Sequence, residues 1–186
     1  MPKMFWVFAF SVVIVFIIWL SVVRSSGKAM DKKARDSGAE SVFSALHVEG
    51  ISVTKKANCD LYLFSDKLLI DADGKKFEIP ISRLVAAQYK SEQELTEKNK
   101  SVVGRALIGT LLVPGLGTIV GGMTGIGKKQ KKGPTNFYLI INYTDSNGEL
   151  SGVTFLNNLN ISRLSSFSNK INQYLLVTHK DVVTTL

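Results

Sequence analysis

Residues 59–79 read CDLYLFSDKLLIDADGKKFEI, and the reading of this stretch decides the fold. Residues 59–64 are an apolar run of strand length, Ser65-Asp66 interrupts it, and residues 67–70 resume it. Short apolar runs bounded by turn residues predict strands. Asp73-Gly74 is the signature of a two-residue type I′ hairpin, so residues 77–79 are expected to return along the preceding strand. Working outward, further strands are expected over residues 84–89, 137–143 and 150–156, the last two joined by the turn Asp145-Ser-Asn-Gly148. A first strand near residues 51–54 brings the expected total to about seven.

The period changes near residue 160. Ile161, Leu164, Phe167, Ile171, Tyr174 and Leu175 fall on one face at helical spacing, with Asn160 placed as an N-cap. That stripe is expected to pack on the sheet, and residues 177–186 to form a loosely held tail. A run of strands closed by one helix resembles a pleckstrin-homology-like (PH-like) or GRAM-like domain. The resemblance is carried by the hairpins at Asp73-Gly74 and Asn147-Gly148 and by the helix over residues 161–176, and it covers residues 44–176. It implies an α+β domain, here residues 42–176, in which a helix plugs one end of a bent antiparallel sheet. The glycine-rich segment between the two groups of strands, absent from a minimal domain of this kind, resembles one seen in small bacterial membrane proteins.

Upstream lies MFWVFAFSVVIVFIIWLSVV, residues 4–23, without a charge, a Pro or a Gly. At 1.5 Å per residue, 20 residues span the ~30 Å hydrocarbon core of a bilayer. Trp6 and Trp19 stand near opposite ends, where indole rings favour the headgroup level. A cleavable signal peptide is the competing reading. Its apolar core is shorter and ends at a small-x-small site, whereas this run ends Val22-Val23-Arg24. A retained single-pass anchor is therefore expected. Arg24, Lys28, Lys32, Lys33 and Arg35 follow it in what reads as a basic juxtamembrane linker, residues 24–41, against Lys3 before it. That asymmetry predicts a cytoplasmic C-terminal domain on a cell membrane.

The second apolar stretch, ALIGTLLVPGLGTIVGGMTGIG over residues 106–127, is of another kind. It is glycine-rich and broken by Pro114-Gly115, which suggests two short apolar helices joined by a tight turn. Gly117, Gly121 and Gly125 repeat every four residues and form a glycine zipper, one helical face on which backbones approach closely. Neither arm is long enough to cross a bilayer. Lys98, Lys100 and Arg105 precede the stretch and Lys128, Lys129, Lys131 and Lys132 follow it, so both ends prefer the same side. The insert, residues 98–132, is thus expected to be a re-entrant or surface-embedded hairpin. A helical pair packed on the soluble domain and a full second crossing are the alternatives.

The net charge of +8 is unevenly placed. Residues 98–132 hold seven bases and no acid, while residues 37–97 hold seven bases against ten acids. Positive charge that flanks apolar stretches suits an anionic membrane surface. A nucleic-acid footprint would gather it on one face of the folded domain, so no nucleic-acid partner is expected.

Catalytic signatures fail at required residues. Residues 122–129 approach the phosphate-binding G-x-x-x-x-G-K-[ST] loop, but Lys129 stands where a hydroxyl must hold magnesium. His47-Val-Glu49 has the H-x-E of zinc deaminases without the paired thiolates, since Cys59 is the single cysteine. No enzyme activity, cofactor or metal is implied. The sequence points to a membrane-anchored binding or scaffolding module that engages anionic lipid headgroups or a membrane protein. Its rival is a zipper-driven homo-oligomer that forms a pore or perturbs the bilayer.

Overall fold

The computed structural model of the chain describes residues 2–99, 107–108, 111–113 and 135–180. Helix α1 (Pro2–Ser37) leads into β1 (Ser41–Glu49), β2 (Asn58–Leu63), β3 (Lys67–Ala72) and β4 (Lys75–Pro80). A 3-10 turn over Ile81–Arg83 precedes β5 (Leu84–Ser91) and helix α2 (Glu92–Asn99). The short strands β6 (Leu107–Ile108) and β7 (Leu111–Leu112) follow, then β8 (Phe137–Thr144), β9 (Leu150–Leu156) and helix α3 (Ile161–Lys180). Seven strands form one antiparallel sheet in the order β4-β3-β2-β1-β9-β8-β5, the α+β architecture of a PH-like domain.

The hairpin chemistry behaves as its residues dictate. Asp73 and Gly74 both take positive φ, 51° and 71°, which matches the right-handed twist of β3 and β4. At the β8–β9 turn, Asp145 Oδ1 accepts from Asn147 N and Glu149 N at 2.8 and 3.0 Å, and Gly148 takes φ 84°.

β1 bends the sheet. Residues 41–46 pair with β2, whereas residues 46–49 pair with β9 across a register shift between His47 and Glu49. Gly50 ends the strand at φ 113°, where a Cβ would lie 2.2 Å from the Gly152 carbonyl oxygen. Only glycine fits that approach. Residues 51–54, expected as the first strand, are instead part of the β1–β2 loop. Val53 N donates to Ile51 O at 2.9 Å in a local turn, and Ile51 and Val53 reach the core from that loop. The first strand is β1, upstream of Gly50.

Alternate residues of the strands face one core: Phe43 and Ala45, Leu61 and Leu63, Leu68 and Ile70. α3 closes this core with Leu164, Phe167, Ile171 and Leu175, and Phe167 stacks on Phe43 at 5.6 Å. α3 is rich in Ser and Asn, which are indifferent helix formers, so packing rather than propensity holds it. Burial of each such anchor contributes about 1.5–3 kcal/mol. The exposed edge of β5 is covered too: Asn172 accepts from Ala87 N at 3.0 Å and donates to Ala87 O at 2.7 Å. Those groups would otherwise be an open sheet edge.

The opposite face of the sheet carries a smaller core of Leu95, Val113, Tyr138 and Ile140. β8 is therefore buried on both faces, which explains why its sequence FYLIINYT lacks alternation. β6 and β7 pair antiparallel where the first arm of a helical pair was expected, and Val113 just after them is fully buried. Isoleucine and leucine near Gly109 satisfy a tight strand pair as readily as a helix, and the sheet face beneath them decides between the two. The remainder of the expected hairpin, including Pro114-Gly115, lies outside the described residues, as do residues 181–186 of the tail.

Candidate functional site

α1 is one helix with two environments. From Val7 to Val22 its large apolar side chains are exposed, Val7 at 70% and Ile17 at 54%, apart from the half-buried Leu20. The helix is long and apolar enough to cross a bilayer. Trp19 is exposed and stacks on Phe16 at 6.0 Å. Trp6 lies in the first turns of the same helix.

The stretch read as a linker, residues 24–41, is helical through Ser37 and docks on the domain. Met30 enters the main core at 3% exposure. Polar ties surround it. Asn160 Nδ2 donates to Ser26 Oγ at 3.0 Å, and Arg163 grips Asp31 with two bonds of 2.8 and 2.9 Å. Gly27 makes room for this clasp, since a Cβ there would press on the Arg163 guanidinium at 3.1 Å. Lys33 pairs with Asp60, which also accepts from Ser44 Oγ, and Lys170 Nζ donates to Glu40 O at 2.8 Å. The Arg163 hydrogen bond holds the Asp31 carboxyl below its ordinary value, and the same bond raises Arg163. A hydrogen bond to Glu40 pushes the Tyr174 hydroxyl up to about 12.

These ties order the helices. Ser26 meets Asn160, Asp31 meets Arg163 and Glu40 meets Lys170, so α3 runs alongside this part of the chain with its first turn nearest the apolar half of α1.

The Asn157-Asn158-Leu159-Asn160 turn before α3 is also where the insert is rooted. Asn157 Oδ1 accepts from Leu159 N and Asn160 N, both at 2.9 Å, which folds the turn on itself. Asn158 Oδ1 accepts from Phe137 N at 2.9 Å and its amide donates to Asn136 Oδ1 at 2.6 Å. Asn136 in turn donates to Glu92 Oε2 at 2.6 Å, and Glu92 N donates to Asn136 O at 2.8 Å. Glu92 and Asn136 bracket the insert. A chain of asparagines thus joins both roots of the insert to the start of α3, which is itself tied to Ser26.

Of the residues singled out in the sequence, Lys98 lies in α2. Lys100, Arg105, Lys128, Lys129, Lys131 and Lys132, with the zipper glycines Gly117, Gly121 and Gly125, lie outside the described residues. Sequence reasoning missed the clasp of Ser26, Asp31, Asn160 and Arg163, whose partners are more than 130 residues apart in one dimension and legible only after folding. It also missed the paired lysines of two adjoining turns, Lys55-Lys56 and Lys75-Lys76. Thr54 N donates to Asp73 Oδ2 at 3.2 Å and Lys75 Nζ to Ser52 O at 2.9 Å, binding the β1–β2 and β3–β4 turns together. The doubled lysine beside a turn was the available signal.

Cys59 is buried, and burial pushes its thiol up to about 11, so it is a packing residue rather than a nucleophile. His47 is buried with Nδ1 3.3 Å from Thr54 O, and its ring meets Phe155 edge-on at 6.4 Å. Among the described residues no three His, Cys, Asp or Glu side chains converge as a metal site.

Residues 43–157 match the model of a family described as the glycine zipper containing PH domain. No curated protein matches the chain.

Proposed function

The chain belongs to the family of glycine-zipper-containing PH domains, and from that membership we propose that it is a non-enzymatic binding or scaffolding module held at the cytoplasmic surface of a cell membrane. PH domains are generally binding modules, and the apolar half of α1 suits a membrane-associated one. In this reading α1 crosses the bilayer once. The insert lysines Lys128, Lys129, Lys131 and Lys132, with Lys98, Lys100 and Arg105, engage anionic lipid headgroups or a membrane protein.

The observation that carries the reading is the asparagine chain from Glu92 and Asn136 to Asn160 and Ser26. It ties Glu92 and Asn136, which flank the insert in sequence, to the turn bonded to Ser26, and so supports a basic segment that begins and ends on the side of the domain toward the apolar half of α1. Each juxtamembrane lysine contributes about 1 kcal/mol at an anionic surface. The test is titration of phosphatidylglycerol onto the full chain in mild detergent. Changing the four lysines after the zipper to Gln should weaken binding at least about tenfold, a modest part of their summed contribution. Unchanged affinity counts against the reading.

The spacing of Gly117, Gly121 and Gly125 favours a second reading, a zipper-driven homo-oligomer that perturbs the bilayer. Gly121→Leu should then abolish oligomers and any ion leak from reconstituted vesicles. A wild-type chain that stays monomeric in lipid removes this reading.

A further inference from the structure

We infer that the β9–α3 turn is a lipid-contacting wedge: Leu159 and Ile161, on either side of the buried Asn160, enter the interfacial layer of the same bilayer that α1 crosses. The inference rests on α1 spanning that bilayer, as proposed above, and adds a contact made by the folded domain itself.

The geometry comes from the helix as a ruler. If the hydrocarbon ends at Val23, Ser26 is three residues farther, about 4.5 Å along the axis. The headgroup layer on each side of the hydrocarbon is about 5–8 Å deep. Asn160 is hydrogen-bonded to Ser26 at 3.0 Å and therefore sits inside that layer. Asn160 itself is buried, only 5% exposed, while Leu159 is 54% exposed and Ile161 38% exposed. Two large apolar side chains thus flank the residue that the anchor fixes at headgroup depth.

The orientation is held at more than one point. Arg163 bonds Asp31 about one turn beyond Asn160, and Met30 is buried in the core between them, so the domain cannot swing freely about Ser26. Because α3 advances from Ser26 toward Glu40, its first turn faces the bilayer and its far end points away. Exposed apolar residues are ordinary when scattered, but here their position against an apolar helix gives them a solvent. Lipid is that solvent, because Asn160 between them is bonded to Ser26, three residues beyond the apolar run of α1.

The test uses the full chain with Cys59→Ser, reconstituted in phosphatidylcholine and phosphatidylglycerol vesicles, with an environment-sensitive fluorophore on single cysteines. Leu159→Cys and Ile161→Cys report the turn, Ile14→Cys the middle of the anchor and Asp36→Cys the exposed end of α1. The expected result is that label 14 is quenched by nitroxides deep in the acyl chains and labels 159 and 161 by nitroxides near the headgroups. Label 36 should be quenched only from water. If labels 159 and 161 behave like label 36 while label 14 is quenched by lipid, the wedge is overturned and the anchor stands. If label 14 escapes lipid quenching, the spanning reading falls and the wedge with it. Labels 159 and 161 shielded from water but unquenched by any lipid nitroxide would mean a protein contact and would also overturn the inference.

Discussion

The two halves of α1 share one backbone conformation and almost nothing else. Between Val7 and Val22 nearly all the large apolar side chains described are exposed, whereas the turns from Ser26 to Ser37 bury Met30 and direct their polar groups to Asn160, Arg163 and Asp60. The difference teaches that helix continuity does not imply a common solvent. The first half is apolar enough to cross a bilayer, and the second is packed against the domain. A linker would have let the domain tumble, while a docked helix fixes how the domain sits against α1.

The contrast breaks most visibly at Met30. Met30→Ala should destabilise the domain by about 2–5 kcal/mol, the usual cost of emptying a buried site of that size. Ile14→Ala, on the exposed half, should leave domain unfolding unchanged. Chemical denaturation of the full chain in detergent, followed through the sheet, compares the two directly. Equal effects would mean that the halves are not separate environments.

A smaller effect sharpens the comparison at the clasp. Asp31 is ionised in the Arg163 pair and its folded carboxyl is held below the ordinary value of 3.8. The sign follows: a depressed carboxyl stabilises the fold fully above its unfolded value, and that contribution disappears as pH falls through the folded one. The pair is partly exposed, so it is worth at most about 1 kcal/mol. Asp31→Asn should remove this acid-dependent increment and leave stability near neutral pH lower by that amount. A denaturation series from pH 6 down to about 3 measures it, and identical pH profiles for wild type and variant would contradict the assignment.

Much of the domain was legible because local chemistry and tertiary structure agree. Asp73-Gly74 and Asp145 to Gly148 carry turn residues whose φ values admit few alternatives, and the stripe from Ile161 to Leu175 keeps helical period because it faces a sheet. The PH-like resemblance rested on those elements, and the family match confirms it at that level. β1 was misplaced for an identifiable reason. SVFSALHVE serves two neighbouring strands around a bend, with Val42 and Phe43 both buried, so its alternation is broken. Ile51 and Val53 imitated a strand because they reach the core from a loop. The helix beyond Val23 read as a linker because its bases dominate the pattern, and only Asp60, Asn160 and Arg163 reveal what its polar groups meet. The zipper and its lysines remain readings of sequence, tied to the described domain through Glu92 and Asn136.

The central claim is that lipid solvates the first half of α1 in the mature protein. Intact-mass analysis of the chain recovered from cells, after an alkaline wash of the membranes, tests it most directly. The account predicts a chain that retains residues 4–23 and stays in the membrane pellet. A full-length chain released by the wash, or a shorter one that begins after Val23, would contradict it.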